Sequence, residues 1–309
     1  MSELSAGTTA SVQEAARALG SMQVRALSLI CCLLALSTLF TTAVAAVPLR
    51  AFVSIAPEKT FVERVGGNRV QVTVMVRPGS EPETYEPTPR QIAALAGSDL
   101  YFRIGMPFEQ SLMHRIRSLN PRLNVIDLRT GIPMRHFGAQ HSGSAEHGTE
   151  DPHIWTNPRL VIVMAAHIRD ALTRADPAGA TEYTANYEAF AAQLRTLDSE
   201  IRNLLAGLSN RRFLVFHPAW GYFADEYGLQ QIAIEAEGKP PGAAALARLI
   251  EHAKQENLHT IFVQRQFSTA AAEAVAHAID ARVIQVDPLA EDYAANLLHF
   301  ARSLREALQ

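Results

Sequence analysis

The stretch YTANYEAFAAQLRTLDSEIRNL, residues 183–204, decides the architecture. Tyr183, Tyr187, Phe190, Leu194, Leu197, Ile201 and Leu204 recur at steps of three and four, which puts one apolar stripe along one long helix. Asp176-Pro177 marks a break before it, and Gly207 and Asn210 signal its end, so a linking helix is expected over 176–208. From Asn157 to about Leu208 no strand pattern occurs. On both sides of this helical block the pattern changes, and short β-branched runs alternate with helical ones.

Working outward, the expected strands are Phe52–Ile55, Val70–Val76, Leu100–Arg103, Asn124–Leu128, Arg212–Phe216, Gln231–Ile234, Thr260–Val263 and Arg282–Val286. Helical patterns between them include Pro89–Ala96, Phe108–Ser118, Ala244–Asn257 and Thr269–Ile279. Such alternation argues for an α/β fold with mostly parallel sheets. The expectation is two lobes of about four strands each, 47–175 and 209–309, joined by the long helix. A rigid helix between lobes permits rocking rather than wide hinge closure. No internal repeat is visible at the level of side chains.

The ends and the composition narrow the setting. Ala26–Ala46 is an apolar run preceded by Arg25, and Ala43-Val44-Ala45 matches a small-x-small cleavage pattern. Residues 1–46 therefore read as a leader and secretory signal peptide cleaved near Ala45, with Met22 as an alternative start and an uncleaved membrane anchor as the competing reading. Export places the chain in the periplasm or otherwise outside the cytoplasm. The two cysteines, Cys31 and Cys32, both fall inside this run. Adjacent cysteines rarely bridge, so no disulfide is expected, and no thiolate remains elsewhere for catalysis or metal binding. A net charge of -3 without a basic stripe excludes a nucleic-acid partner. The segment from Phe137 to Glu150, with His136, His141 and His147 in or beside it, has no apolar periodicity and reads as a His-rich surface loop over 136–150.

Ligands of α/β sheets bind outside the carboxyl ends of strands. Four metal-capable residues fall in that position: Glu83 in the loop after Val70–Val76, His153 in Asp151-Pro152-His153, His217 at the end of Arg212–Phe216, and Asp287 at the end of Arg282–Val286. Two come from each lobe, so a cleft between lobes would collect all four. Two imidazoles and two carboxylates suit Zn, Mn or Fe. Four protein ligands bind an ion without leaving a position to activate water, which is the geometry of carriage. Each residue also has a plainer reading. Glu83 competes with Glu81 and Glu86 as a solvated loop carboxylate, His153 is equally a packed histidine, His217 a helix cap, and Asp287 a turn residue.

At this point several blocks, in order, carry a resemblance: PGSEPETYEPTP (78–89), SDLYFRIGMPFE (98–109), DPHIWTNP (151–158), FHPAWGYFADEYGL (216–229), IEAEGKPPGAAALARLI (234–250), TIFVQRQFS (260–268) and VDPLAEDY (286–293). The chain from about 50 to 309 resembles the ZnuA/TroA-like family of periplasmic metal-binding proteins that serve zinc and manganese ABC transporters. The resemblance implies pseudo-symmetric lobes linked by one backbone helix. It implies one divalent transition-metal ion as free ligand between them, held at Glu83, His153, His217 and Asp287, and delivery to a membrane permease by a monomer that is not an enzyme. Position 83 departs, because most relatives carry His there. The carboxylate makes the site harder and more negative, so the set fits Mn(II) or Fe(II) as well as Zn(II), while the His-rich loop over 136–150 argues for zinc. Gln264 stands where relatives often have Glu. The remaining histidines, His114, His167, His252, His259, His277 and His299, read as surface or packing residues.

Three other functions compete with this reading, one of them a surface-adhesion role added to the same fold. A zinc hydrolase would need an open coordination position and a general base, and neither His-Glu-x-x-His nor Gly-x-Ser-x-Gly is present. A binder of a metal chelate or small anion would need a larger pocket lined by residues such as Arg103, Arg265 and Trp220. Neutral imidazoles are required for metal binding, so affinity is expected to fall below about pH 6.

Overall fold

The computed structural model describes residues 47–137, 150–235, 242–267 and 269–309. The first lobe contains β1 (Leu49–Val53), α1 (Ala56–Gly66), β2 (Val70–Val74), α2 (Pro89–Ala96), β3 (Leu100–Arg103), α3 (Pro107–Leu119) and β4 (Asn124–Asp127). Two long helices follow, α4 (Pro158–Ala175) and α5 (Ala180–Leu204). The second lobe contains β5 (Arg212–Val215), α6 (Gly221–Tyr227), β6 (Gln230–Ala233), α7 (Ala243–Gln255), β7 (Thr260–Gln264), α8 (Thr269–Ile279), β8 (Arg282–Val286) and α9 (Tyr293–Leu308).

The strands form two four-stranded sheets, ordered β2-β1-β3-β4 and β6-β5-β7-β8. Every pairing is parallel. The two orders are the same, so the lobes repeat one topology without repeating side chains. β3 (LYFR) and β7 (TIFVQ) are almost wholly buried, as parallel strands covered on both faces should be. In each sheet the order turns at the first strand, which opens a crevice at the carboxyl ends of β1 and β3 and of β5 and β7.

β1 differs from expectation by ending at Val53 instead of Ile55. The backbone N–H groups of Ser54 and Ile55 leave the ladder to donate to Glu58 Oε2, at 2.9 and 3.0 Å, and this capping starts α1. β2 ends at Val74, although Met75 and Val76 still donate to the Val53 and Ser54 carbonyls. The long helix begins at Ala180 because Pro177–Gly179 forms a 3-10 turn first.

The stripe on α5 explains how the lobes are joined. Tyr183, Phe190, Leu194, Leu197 and Ile201 are buried, and α5 packs on α4, α1 and α9. One apolar cluster therefore runs from the first sheet through α5 into one face of the second sheet, where Trp220 stacks on Phe300 at 3.7 Å. A smaller cluster lies beneath α7 and α8. Residues 1–46, expected to be a leader and signal peptide and holding both cysteines, and residues 138–149 of the His-rich segment lie outside the described residues. Among the described residues no helix is long and apolar enough to cross a membrane.

Candidate metal centre

Glu83 sits in the loop between β2 and α2. A capping box fixes the end of that loop: Thr88 N–H donates to Gln91 Oε1 at 2.9 Å, and Gln91 N–H returns to Thr88 Oγ1. The Gln91 amide also donates to Met75 O at the loop's start and to Tyr85 Oη at 2.8 Å. One side chain thus ties both ends of the loop that carries Glu83. His153 stands at the entrance to a 3-10 turn over Ile154–Thr156, where Thr156 Oγ1 donates to His153 O. His217 lies two residues past the end of β5, and Phe267 stacks on its ring at 5.0 Å.

These three side chains meet. Glu83 Oε1 lies 3.4 Å from His217 Nε2 and 3.9 Å from His153 Nε2, and the two Nε2 atoms are 3.4 Å apart. Tetrahedral zinc with bonds of about 2.0–2.1 Å sets its donors about 3.3 Å apart. The three donors therefore already stand near the edges such an ion requires. Both histidines are 4% exposed. The cavity that they line with Glu83 is about 10 Å3, walled by Met106, Trp155 and Phe267. That is room for one ion or one water molecule.

The back of each imidazole is held by a carboxylate. His153 Nδ1 lies 2.8 Å from Asp151 Oδ1, and His217 Nδ1 lies 2.8 Å from Glu235 Oε1, all buried. A carboxylate accepts, so each Nδ1 donates and each Nε2 is turned toward the cavity. Burial alone would lower the His217 pKa, but Glu235 and Glu83 outweigh it and raise the ring to about 9. Burial would raise Glu83, but its bond to His217 and the charges of both histidines bring it below the usual carboxylate value. The metal-free centre is thus an imidazolium facing a carboxylate, with the Nε2 proton of His217 lying where an ion would lie.

The structure does not gather all four sequence candidates. Among the described residues the cluster of metal-capable donors is Glu83, His153 and His217. Asp287 ends β8 as expected, but its Oδ1 accepts from Gln266 Nε2 at 3.1 Å and from Leu289 N–H at 3.0 Å. Glu81 lines the same cavity, with one oxygen taking Thr84 Oγ1 and the other buried without a hydrogen bond. Glu86 is exposed. Gln264 is buried and faces the cavity. His114, His252, His259, His277 and His299 are exposed, and His167 bonds the Thr130 carbonyl. Arg103, Arg265 and Trp220 do not line the cavity. Trp220 is wholly buried in the core.

Sequence reading did not single out Asp151 and Glu235, the carboxylates behind the two imidazoles. Glu235 obeys the rule that nominated His217, since it follows β6 by two residues. Replacing Glu235 with Gln is expected to weaken metal binding roughly 10–100-fold by loosening His217. Competition with a chromophoric chelator measures this, and an unchanged constant would mean that the ring is oriented without Glu235.

Comparison with known proteins gives a consistent set. The family model ZnuA, zinc-uptake complex component A, periplasmic, matches residues 52–307. A solved structure of a ZnuA deletion mutant with zinc bound is 40% identical, with a TM-score of 0.79, covering 85% of this chain and 98% of that one. A putative metal-binding protein of Chlamydia trachomatis is 29% identical over 255 residues, 81% of this chain and 88% of its own length. The zinc-binding lipoprotein AdcA of Streptococcus pneumoniae is 26% identical over 75% of this chain, which spans only 48% of AdcA.

Proposed function

We propose, for a chain that belongs to the ZnuA family of periplasmic zinc-uptake components, that it captures one zinc ion outside the cytoplasm and hands it to an ABC-type membrane permease. The observation that carries this reading is the convergence of Glu83 Oε1 and the two Nε2 atoms on a cavity of about 10 Å3. That volume suits a bare ion. It leaves no room for a chelate, nor for the substrate of a hydrolase.

In this reading the ion is cargo, and each lobe brings part of its shell. Glu83 and His153 come from the first lobe and His217 from the second. Asp287 completes the set by giving up Gln266 as the ion arrives. The continuous core through α5 restricts the lobes to small movements, so release needs the permease to strain the site. The chain works as a monomer in the periplasm or its equivalent. Zinc is favoured over manganese because the donor spacing is tetrahedral and two imidazoles are present. It is also the metal in the names of the ZnuA and AdcA relatives.

The test is metal content and competitive titration of residues 47–309 with Zn(II), Mn(II) and Fe(II). One zinc per chain, retained against excess manganese, is the expected result. Preferential retention of manganese or iron would assign the carboxylate at position 83 a different selectivity. Absence of stoichiometric binding would end the capture reading. Glu83→His should retain zinc and bind manganese less well, because a third imidazole softens the site.

A further inference from the structure

Asp151 divides its two oxygens between two tasks. Oδ1 takes the His153 Nδ1 and the His153 backbone N–H, at 2.8 and 3.0 Å. Oδ2 faces Arg135 Nε at 3.6 Å. Among the described residues, Arg135 is the one arginine or lysine placed against this buried carboxylate. Arg135 itself belongs to the first half of a small antiparallel contact, in which His136 pairs with Glu150 and Asp151 N–H donates to Arg135 O at 2.8 Å.

The other side of Arg135 reaches the second lobe. Its Nη1 pairs with Asp225 on α6. Its backbone N–H donates to Tyr222 Oη at 2.8 Å, and that hydroxyl donates on to Asp151 O at 3.0 Å. The guanidinium carbon lies 5.8 Å from the centre of the Tyr222 ring. α6 opens at Gly221, four positions after His217. A Cβ at Gly221 would stand 2.7 Å from Arg135 Nε and 2.9 Å from Asp151 Oδ2. Glycine is therefore required for this approach, although alanine is the better helix residue. One knot thus touches both the segment leading into His153 and the segment leading out of His217.

We propose that Arg135 is a positioning residue of the metal centre: clamped between Asp151 and Asp225, it aims His153 Nε2 at His217 Nε2 and holds the two half-sites in register. It acts through Asp151 and does not touch the ion. The proposal rests on the capture reading above.

The test compares zinc affinity and the visible spectrum of the Co(II)-loaded protein for the parent, Arg135→Ala, Gly221→Ala and Arg202→Ala. Arg202 is the control, because it pairs with Glu226 on α6 without meeting Asp151. Arg135→Ala and Gly221→Ala should each weaken zinc binding roughly 10–100-fold, the range for groups that orient a ligand, and should shift the Co(II) bands. Arg202→Ala should stay within about twofold of the parent with an unchanged spectrum, whatever it does to the melting temperature. Arg135→Ala with parental affinity and spectrum overturns the proposal, and so does an equal loss in Arg202→Ala. A parent that binds no ion is a separate result, which removes the capture reading first.

Discussion

His217→Ala is expected to lower zinc affinity by roughly a hundredfold to a thousandfold, the largest loss of any single ligand. Structural zinc sites of four ligands bind with about 10–16 kcal/mol at neutral pH, or about 2.5–4 kcal/mol per ligand, and each 1.4 kcal/mol is tenfold. His217 exceeds the average for a local reason. It is the sole member of the converged cluster contributed by the second lobe. It also separates Glu83 from Glu235, touching the first at 3.4 Å and the second at 2.8 Å. Without the ring the two carboxylates lose the cation between them, and the zinc ion loses its only converged contact with β5. Glu83→His should cost far less, because a donor remains at that position. Calorimetric or chelator-competition titration measures both. A His217→Ala protein within tenfold of the parent would remove His217 from the shell.

Zinc affinity is expected to rise about a hundredfold between pH 6.5 and 8.5, tenfold per unit, with close to one proton released per ion at pH 7.5. The sequence alone suggests a fall only below about pH 6, on the assumption of an ordinary imidazole. In the folded protein His217 holds its proton to about pH 9, because Glu235 and Glu83 outweigh the effect of burial. The ion must therefore displace that proton throughout the neutral range. The same shift affects stability in the metal-free state. The folded pKa is above the 6.5 reference, so the contribution is whole below about pH 6.5 and is lost as pH rises through 9. The loss amounts to up to about 3 kcal/mol, at 1.36 kcal/mol per unit. The zinc-loaded protein should not show it. Titration in buffers of different ionisation enthalpy reads the proton count, and denaturant unfolding at several pH values reads the stability. Affinity that is flat above pH 7 would contradict a proton in the ion's place.

Much of the fold was legible because parallel strands buried on both faces are written as short apolar runs. β3 and β8 fall on the expected residues, as do α2 and α8. α1 and α9 were not named among the helical patterns, and α6 entered only through the reading of His217 as a helix cap. α6 has seven residues and no room for a periodic stripe. The ends of β1 depend on where Glu58 turns back to cap, a contact that no local pattern encodes. At the centre, Glu83, His153 and His217 were legible as donors placed near strand ends. Asp151 and Glu235 were not, because their part is to hold another side chain, and that depends on which ring nitrogen faces which neighbour. The charge on His217 was equally hidden, since Glu83 reaches it from the other lobe. Asp287 was legible as a residue, but its hydrogen bond from Gln266 was not.

The most direct test is anomalous scattering at the zinc edge from crystals of the zinc-loaded protein. A single peak about 2.0–2.2 Å from Glu83 Oε1, His153 Nε2 and His217 Nε2 is the predicted result. A map with no peak between those atoms, or with its strongest peak elsewhere, would contradict it.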